Sequence, residues 1–337
     1  MLLTEKIYQR LFDEILRGKF APGERFPTEF ETAERFGVSR VTVRRAYGIL
    51  ERNGIILRRP RLGTTVNSRF SGSTDPIRMI AVLVPLEDTF ARDFLQTLCR
   101  ETAEKNILTV IEPGAGNGFE LTKAAVRLAS GGVRNMIFWA GDTSFEEDLF
   151  RRLRVLGVNL VFFDRIRPKD GVADYVGLDN ADAVTALLDE AGRSAVTEVI
   201  FCGSGDDRFC TNQERREVFV RECERRHWKY SFFELPEDGA PAAETLRSVS
   251  RRLTPSAALI CVNDAVALRM RDLTPGSCRL YSIDGTEAAV SRGISSYRQP
   301  MAEMAKACLD ALGRQQRLGE KWKAGEYRFK GEIAGGS

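Results

Sequence analysis

The sequence predicts an α/β protein in two parts: an N-terminal winged helix-turn-helix and a larger two-lobed domain built on parallel sheets. Three observations predict it. Residues 1–66 hold three short amphipathic helical stretches and then two short β-like stretches. Residues 67–76 are polar and carry Gly and Pro, the composition of a linker. From residue 77 to 337, apolar strand-like runs alternate with helical stretches, the order that gives parallel sheets covered on both faces. The 337 residues suffice for two or three buried cores.

In the first helix, Tyr8, Leu11, Phe12 and Ile15 mark one apolar face. Gly18 ends it, and Pro22-Gly23 makes a turn. Pro27-Thr28-Glu29-Phe30-Glu31 reads as the start of a second helix, with Thr28 as cap and Glu31 completing a capping box. Ala33 and Phe36 face inward, and Gly37 stops the helix where a left-handed residue is cheap. Ser39 caps the third helix almost at once. Its buried stripe is Val43, Ala46, Tyr47 and Leu50, and its other side shows Arg40, Thr42, Arg44 and Arg45. Two helices joined so tightly form a helix-turn-helix, whose second helix enters the DNA major groove by its N-terminal end. Gly54-Ile55-Ile56-Leu57 starts a strand. Arg58, Arg59 and Arg61 lead to the returning strand Gly63-Thr64-Thr65-Val66, so the wing has a basic tip.

Charge follows the same division. Residues 1–76 hold 14 Lys and Arg against 9 Asp and Glu, and the remainder 36 against 38. From Arg52 to Arg69 there are five arginines and no acid. A basic module on a mildly acidic body fits a phosphate backbone as partner, or else a solvated basic face. The seven cysteines are scattered with no C-x-x-C, so they read as reduced core thiols of a cytoplasmic protein, without a metal site. Glu5, Lys6 and Arg10 exclude an apolar signal core near the N-terminus, and no apolar run reaches membrane-spanning length. A membrane partner is therefore not expected.

The stretch FPTEFETAERFGVSRVTVRRAYGILERNGII, residues 26–56, resembles the DNA-binding domain of the GntR family of repressors. The resemblance runs from about Lys6 to Val66, and Val38–Arg44 is its most specific part. It implies that Ser39, Arg40, Thr42 and Arg44 contact operator DNA and that Gly63 lies in the wing. Thr28, Arg45, Arg59 and Arg61 complete the expected DNA-facing set. Phe30 departs from the family pattern, which often has a basic or polar residue there. Pro60-Arg61 replaces the usual polar-Gly pair of the wing.

In the larger part, the candidate strands are Ile80–Val84, Leu108–Ile111, Asn135–Trp139, Leu160–Phe163, Val199–Cys202, Leu259–Val262 and Leu280–Ile283. Ligands of parallel sheets sit beyond the carboxyl ends of the strands. The residues there are Asp164-Arg165, Asn263-Asp264 and Asp284-Gly285, a polar set suited to a polyol or sugar. Residues 78–333 are similar to the effector domain of the LacI family, itself similar to periplasmic sugar-binding proteins. The pieces that carry this are Val161–Arg165, Val176–Asn180, Ala258–Asp264, Tyr281–Gly285 and Tyr297–Pro300.

That resemblance implies that Arg215 holds ligand hydroxyls, that Asp164, Asn263, Asp284 and Gln299 belong to the site, and that Phe90 or Trp139 covers a ring. It also implies lobes assembled from discontinuous segments, crossing near Val176, Ser295 and Trp322. The residues alone leave other roles open. Asp164 could pair with Arg165, Arg215 could lie on a helix surface, Asp284 could only shape its turn, and Trp139 could be core.

Both resemblances imply a homodimer on double-stranded operator DNA, acting as a repressor released by an effector, with no cofactor. Catalysis is not expected: the single histidine, His227, has no partner at triad spacing, and neither a nucleophile elbow nor a phosphate loop occurs. The competing expectation is a large domain that serves only as a ligand-free dimerisation scaffold.

Overall fold

Apolar residues at helical spacing build the N-terminal unit around one small core. The computed structural model describes residues 2–67, 72–86, 89–113, 118–139, 146–168, 171–194, 196, 198–204, 209–235, 257–274 and 278–335. In α1 (Leu3–Leu16), Ile7, Tyr8, Leu11, Phe12, Ile15 and Leu16 turn inward. The second helix, α2 (Glu29–Phe36), starts at the Thr28 capping box and stops at Gly37, whose φ of 62° favours glycine. The third, α3 (Arg40–Arg52), is capped by Ser39 and buries Val43, Ala46, Tyr47 and Leu50. Tyr47 fixes α3 against the start of α2: its hydroxyl donates to the Pro27 carbonyl at 2.7 Å and lies 2.7 Å from Thr32 Oγ1. Burial pushes this phenol up to about 12. The wing is an antiparallel pair, β1 (Ile56–Arg59) with β2 (Gly63–Val66), in the register Arg59↔Gly63.

Of the polar segment 67–76, residues 68–71 lie outside the described residues. The first lobe follows as β3 (Met79–Val84), α4 (Thr89–Glu104), β4 (Leu108–Pro113), α5 (Gly118–Ser130), β5 (Asn135–Phe138), α6 (Glu147–Val155), β6 (Asn159–Phe163) and β7 (Asp174–Leu178). The chain then crosses to the second lobe. This comprises α7 (Asn180–Arg193), β8 (Glu198–Gly203), α8 (Cys210–Arg226), β9 (Lys229–Glu234), β10 (Ala257–Cys261), α9 (Asp264–Leu273), β11 (Arg279–Asp284), α10 (Glu287–Ser291) and β12 (Ser295–Arg298). It returns through α11 (Met301–Leu318) to β13 (Glu326–Phe329) in the first sheet, and ends in β14 (Glu332–Ala334) in the second.

The sheet orders are β13-β7-β6-β5-β3-β4 and β14-β12-β11-β10-β8-β9. Every pairing in them is parallel except β12 with β14. The first crossing follows Leu178 and the second follows Arg298. The third falls between β13 and β14, not near Trp322. Trp322 serves elsewhere: its Nε1 donates to the buried Asp174 at 3.1 Å, and the Arg154 guanidinium stacks on its ring.

The seven strands read from apolar runs are all present. The strands missing from that reading are β7, β9, β12, β13 and β14. β9, β13 and β14 lie at sheet edges with alternating or partial burial, so they carry polar residues rather than apolar runs. β7 is fully buried but begins with Asp174, whose carboxylate accepts from Gln315, Trp322, Arg314 and the Gly325 amide.

The winged helix rests on the first lobe. Tyr8 donates from its hydroxyl to the Ser130 carbonyl at 2.7 Å and accepts from Asn53 Nδ2 at 2.9 Å. Arg134 donates to the carbonyls of Ala129 and Asn53 at 2.7 and 3.2 Å. One apolar cluster continues from α1 into α5 and α6.

Candidate functional site

Two surfaces carry the expected functional residues. The first is the exposed side of α2, α3 and the wing. Ser39 Oγ accepts from the Thr42 amide at 3.2 Å and lies 2.8 Å from Thr42 Oγ1, so the two hydroxyls form one small polar knuckle at the start of α3. Thr28 is likewise engaged in its capping box, yet stays exposed beside the helix end. Arg40, Arg44 and Arg45 are exposed on α3. The sequence reading missed Glu29. Its carboxylate accepts from Arg44 Nε at 3.0 Å and from Arg58 on β1. One acid therefore holds a helix arginine and a wing arginine in fixed relation, and leaves the Arg44 fork facing outward. Its position in the first turn of α2 was the available signal, because acids there are usually explained by the helix dipole alone.

The wing keeps Arg59 and Arg61 exposed. Arg61 has a φ of 67°, a conformation that favours glycine, and Gly63 follows at 89°. The departure from glycine at Arg61 is thus a strained turn residue carrying a charge at the tip.

The second surface is the cleft between the lobes. A cavity of about 400 Å³ is lined from the first lobe by Phe90, Asp164 and Arg165, and from the second by residues including Arg215, Asn263 and Asp284. All but Arg215, in the second turn of α8, lie at or just beyond carboxyl ends of strands or at helix starts, because both sheets point their strand ends at the cleft. Asp164 follows β6 at a φ of 61° and is buried. Tyr175 donates to its carbonyl at 2.7 Å, which fixes the turn. Burial raises the Tyr175 phenol well above its ordinary value, so it remains a donor.

The lobes touch on this side. The Cys210 amide of α8 donates to the Arg165 carbonyl at 3.0 Å, and the Arg165 guanidinium lies 4.9 Å from the centre of the Phe209 ring.

Arg215 is 4% exposed. Its Nε donates to Asn180 Oδ1 at 2.8 Å and its Nη1 to the Val262 carbonyl at 2.7 Å, which aims the remaining edge at the cavity. Asn263 caps α9: its Oδ1 accepts from the Val266 amide at 2.9 Å, leaving its amide nitrogen as the group available to a ligand. Asp284 ends β11 at a φ of 132°. Its Oδ1 accepts from Gln299 Nε2 at 3.0 Å. Gln299 does not line this cavity. It lines a neighbouring one of about 410 Å³, with Phe90, Asp284 and Thr286 common to both. Trp139 lines neither. It is 1% exposed and packs edge-on behind Phe90, with centroids 5.4 Å apart, so it supports the aromatic wall rather than forming it.

Asp264, named in the polar set after the strands but given no role of its own, proves to be an anchor of the fold. One oxygen accepts from Ser282 and Ser296, the other from the Thr286 amide and hydroxyl at 2.7 Å each. Four donors on one buried carboxylate tie β11, β12 and the start of α10 together beneath the cavity. Among the described residues no group of three or more His, Cys, Asp or Glu is set to hold a metal, and no helix is long and apolar enough to cross a membrane. His227 is exposed at the C-terminal end of α8.

Comparison with known proteins divides the chain in the same way. Residues 3–66 match the model of bacterial regulatory proteins of the gntR family, and residues 190–325 match that of the periplasmic binding protein-like domain. The HTH-type transcriptional regulator YieP of Escherichia coli strain K12 is 48% identical over 65 residues, 19% of this chain and 26% of that protein. A probable fructoselysine utilization operon transcriptional repressor of the same organism is 38% identical over 68 residues, 20% of this chain and 28% of that protein. The chain thus spans about a quarter of the length of these curated relatives. Among solved structures, the trehalose repressor from Escherichia coli superposes with a TM-score of 0.64 at 14% identity, over 77% of this chain and 100% of that one. At that identity the likeness establishes the fold.

Proposed function

We propose that this chain, a GntR-type helix-turn-helix domain joined to a periplasmic-binding-protein-like domain of the LacI type, is a transcription repressor whose grip on operator DNA is set by a sugar or polyol in the cleft. The observation that carries the first half is the row of exposed Ser39, Arg40 and Arg44 with the half-buried Thr42, on a capped helix of a winged fold. Arginine can read guanine N7 and O6 there, and the hydroxyls can meet phosphate or base edges. Thr28, Arg45, Arg59, Arg61 and Gly63 would touch the backbone and the wing's groove.

The second half rests on the cavity. Asp164 and Asp284 offer acceptors, Asn263 and Arg215 offer donors, and Phe90 offers an apolar face, which suits a ring bearing hydroxyls. The names of the fructoselysine and trehalose repressors point the same way. A route between the sites is also on hand. Gln299, bonded to Asp284, stands just before α11, and α11 is about 27 Å long. Near its far end, the Gln316 carbonyl accepts from the Ser73 amide at 2.8 Å, and Gln316 Nε2 donates to the Asp75 carbonyl at 2.5 Å. Lobe closure that moves Asp284 therefore reaches the segment leading to the winged helix. Two chains, dimerising through the large domain, would set two recognition helices on successive half-sites.

The test is to select duplexes from a random library with the full-length protein, then titrate the best one in the presence of a panel of monosaccharides, disaccharides and polyols. The expected result is a duplex bound at least about a thousandfold tighter than random DNA, and one sugar that raises the melting temperature and weakens operator binding. Failure to enrich any duplex would overturn the regulator. An enriched duplex with no stabilising sugar would favour the ligand-free scaffold. Sedimentation of the free protein as a monomer at operator-saturating concentration would remove the dimer.

A further inference from the structure

The DNA-facing side of the winged helix is not wholly polar. Phe30, second residue of α2, is 61% exposed, and Val41, second residue of α3, is 57% exposed. Both are large apolar side chains left in water by a domain that buries its other helix-face apolar residues in α2 and α3 wholly or in part. They flank the same feature. Glu29, the neighbour of Phe30, holds Arg44 Nε at 3.0 Å, and Val41 lies three positions before Arg44 and four before Arg45, on one face of α3.

The patch is framed by Arg40, Arg44 and Arg45, so its surroundings favour a polyanion. The nearest acids are already engaged: Glu29 with Arg44 and Arg58, and Glu31 with the Thr28 amide. A basic surface with an apolar centre is complementary to one feature of the major groove, the thymine C5 methyl, which is the only apolar group the base edges display there.

We propose that Phe30 and Val41 are specificity determinants that select thymine methyl groups, with Val41 reading within the groove and Phe30 at its edge. This rests on the operator-binding reading above.

The experiment takes duplexes selected by the full-length protein and replaces each recurrent thymine by deoxyuridine, which lacks only the methyl. The expected result is a loss of about three- to tenfold in affinity at two thymines of each half-site, the size expected for one buried methyl group. Phe30→Ser and Val41→Ser should each abolish the difference at one of the two positions, binding thymine and deoxyuridine duplexes alike. Because the change is made in the DNA, the wild-type result stands even if a variant folds poorly. Selection that enriches no sequence overturns operator binding itself. Selection that succeeds, with deoxyuridine tolerated throughout, overturns this assignment alone, and would leave the patch to contact a protein surface.

Discussion

The recognition surface and the cleft solve opposite problems with the same kinds of residue. On the winged helix the functional side chains cluster in one short stretch of chain, mostly exposed, and several are braced by neighbours three residues away, as in Ser39 with Thr42 or Thr28 with Glu31. In the cleft they come from separate loops of two lobes and are braced by partners far along the chain, as in Asp284 with Gln299 or Arg215 with Asn180 and Val262. Water screens the first group, so each residue contributes little to folding and the surface is free to specialise. The second group is buried or half-buried, where an unanswered charge is costly, so its members are tied into the fold. Changes in the cleft should therefore disturb stability or ligand response, and changes on the recognition surface should act mainly on DNA affinity.

The largest expected effect is on Asp264. Asp264→Ala strands four donors beneath the cavity and should lower stability by roughly 3–5 kcal/mol. Scanning calorimetry should show the transition of the large domain fall by on the order of 10 °C. A fall below about 2 °C would show that the network contributes little, and the contrast between the two surfaces would lose its main support.

Asp284→Ala comes next. It removes a carboxylate from the cavity and should weaken sugar binding by about 1.5–3 kcal/mol, more than tenfold, with operator affinity unchanged in the absence of sugar. Titrating the sugar against the operator complex measures both. A wild-type response would take Asp284 out of the ligand site.

Arg44→Ala should cost about 1–3 kcal/mol on the selected operator and much less on random DNA, without lowering the melting temperature. Its partner Glu29 keeps Arg58, which is why folding should not suffer. Equal losses on both DNAs would make Arg44 a phosphate contact.

The smallest effect is expected at the wing. Arg61→Gly relieves a left-handed backbone and should stabilise the winged helix by about 1 kcal/mol, while removing one phosphate-directed charge. The salt dependence of DNA binding should then become shallower by about one unit of logarithmic slope. An unchanged slope would place Arg61 away from the DNA.

How much was legible follows from the range of the interactions concerned. The three helices of the winged fold, their caps at Thr28 and Ser39 and the stop at Gly37 could be read directly, because capping and helical periodicity act within a few residues. Six of the central strands and the edge strand β4 were legible for the same reason, as apolar runs, whereas the central strands β7 and β12 were not. The edge strands β9, β13 and β14 were not, since their half-polar patterns acquire meaning only from the neighbour they pair with. Asp164, Asn263 and Asp284 could be picked out because strand ends face a cleft in any doubly wound sheet.

What only the tertiary structure decided is the division of labour among the polar and aromatic residues. Trp139 and Phe90 are both aromatic residues after strands, yet one is core and the other cavity wall, because α4 carries Phe90 to the cavity and packs Phe90 and Phe94 over Trp139. Asp264 and Asp284 are both carboxylates at the ends of the second sheet. Both line the cavity, but Ser282, Ser296 and Thr286 supply four donors to the first, while the second accepts from Gln299 and the Asp264 amide. Local free energies fix which segments are helices and strands. How many donors the fold itself brings to each carboxylate is decided only when distant strands align.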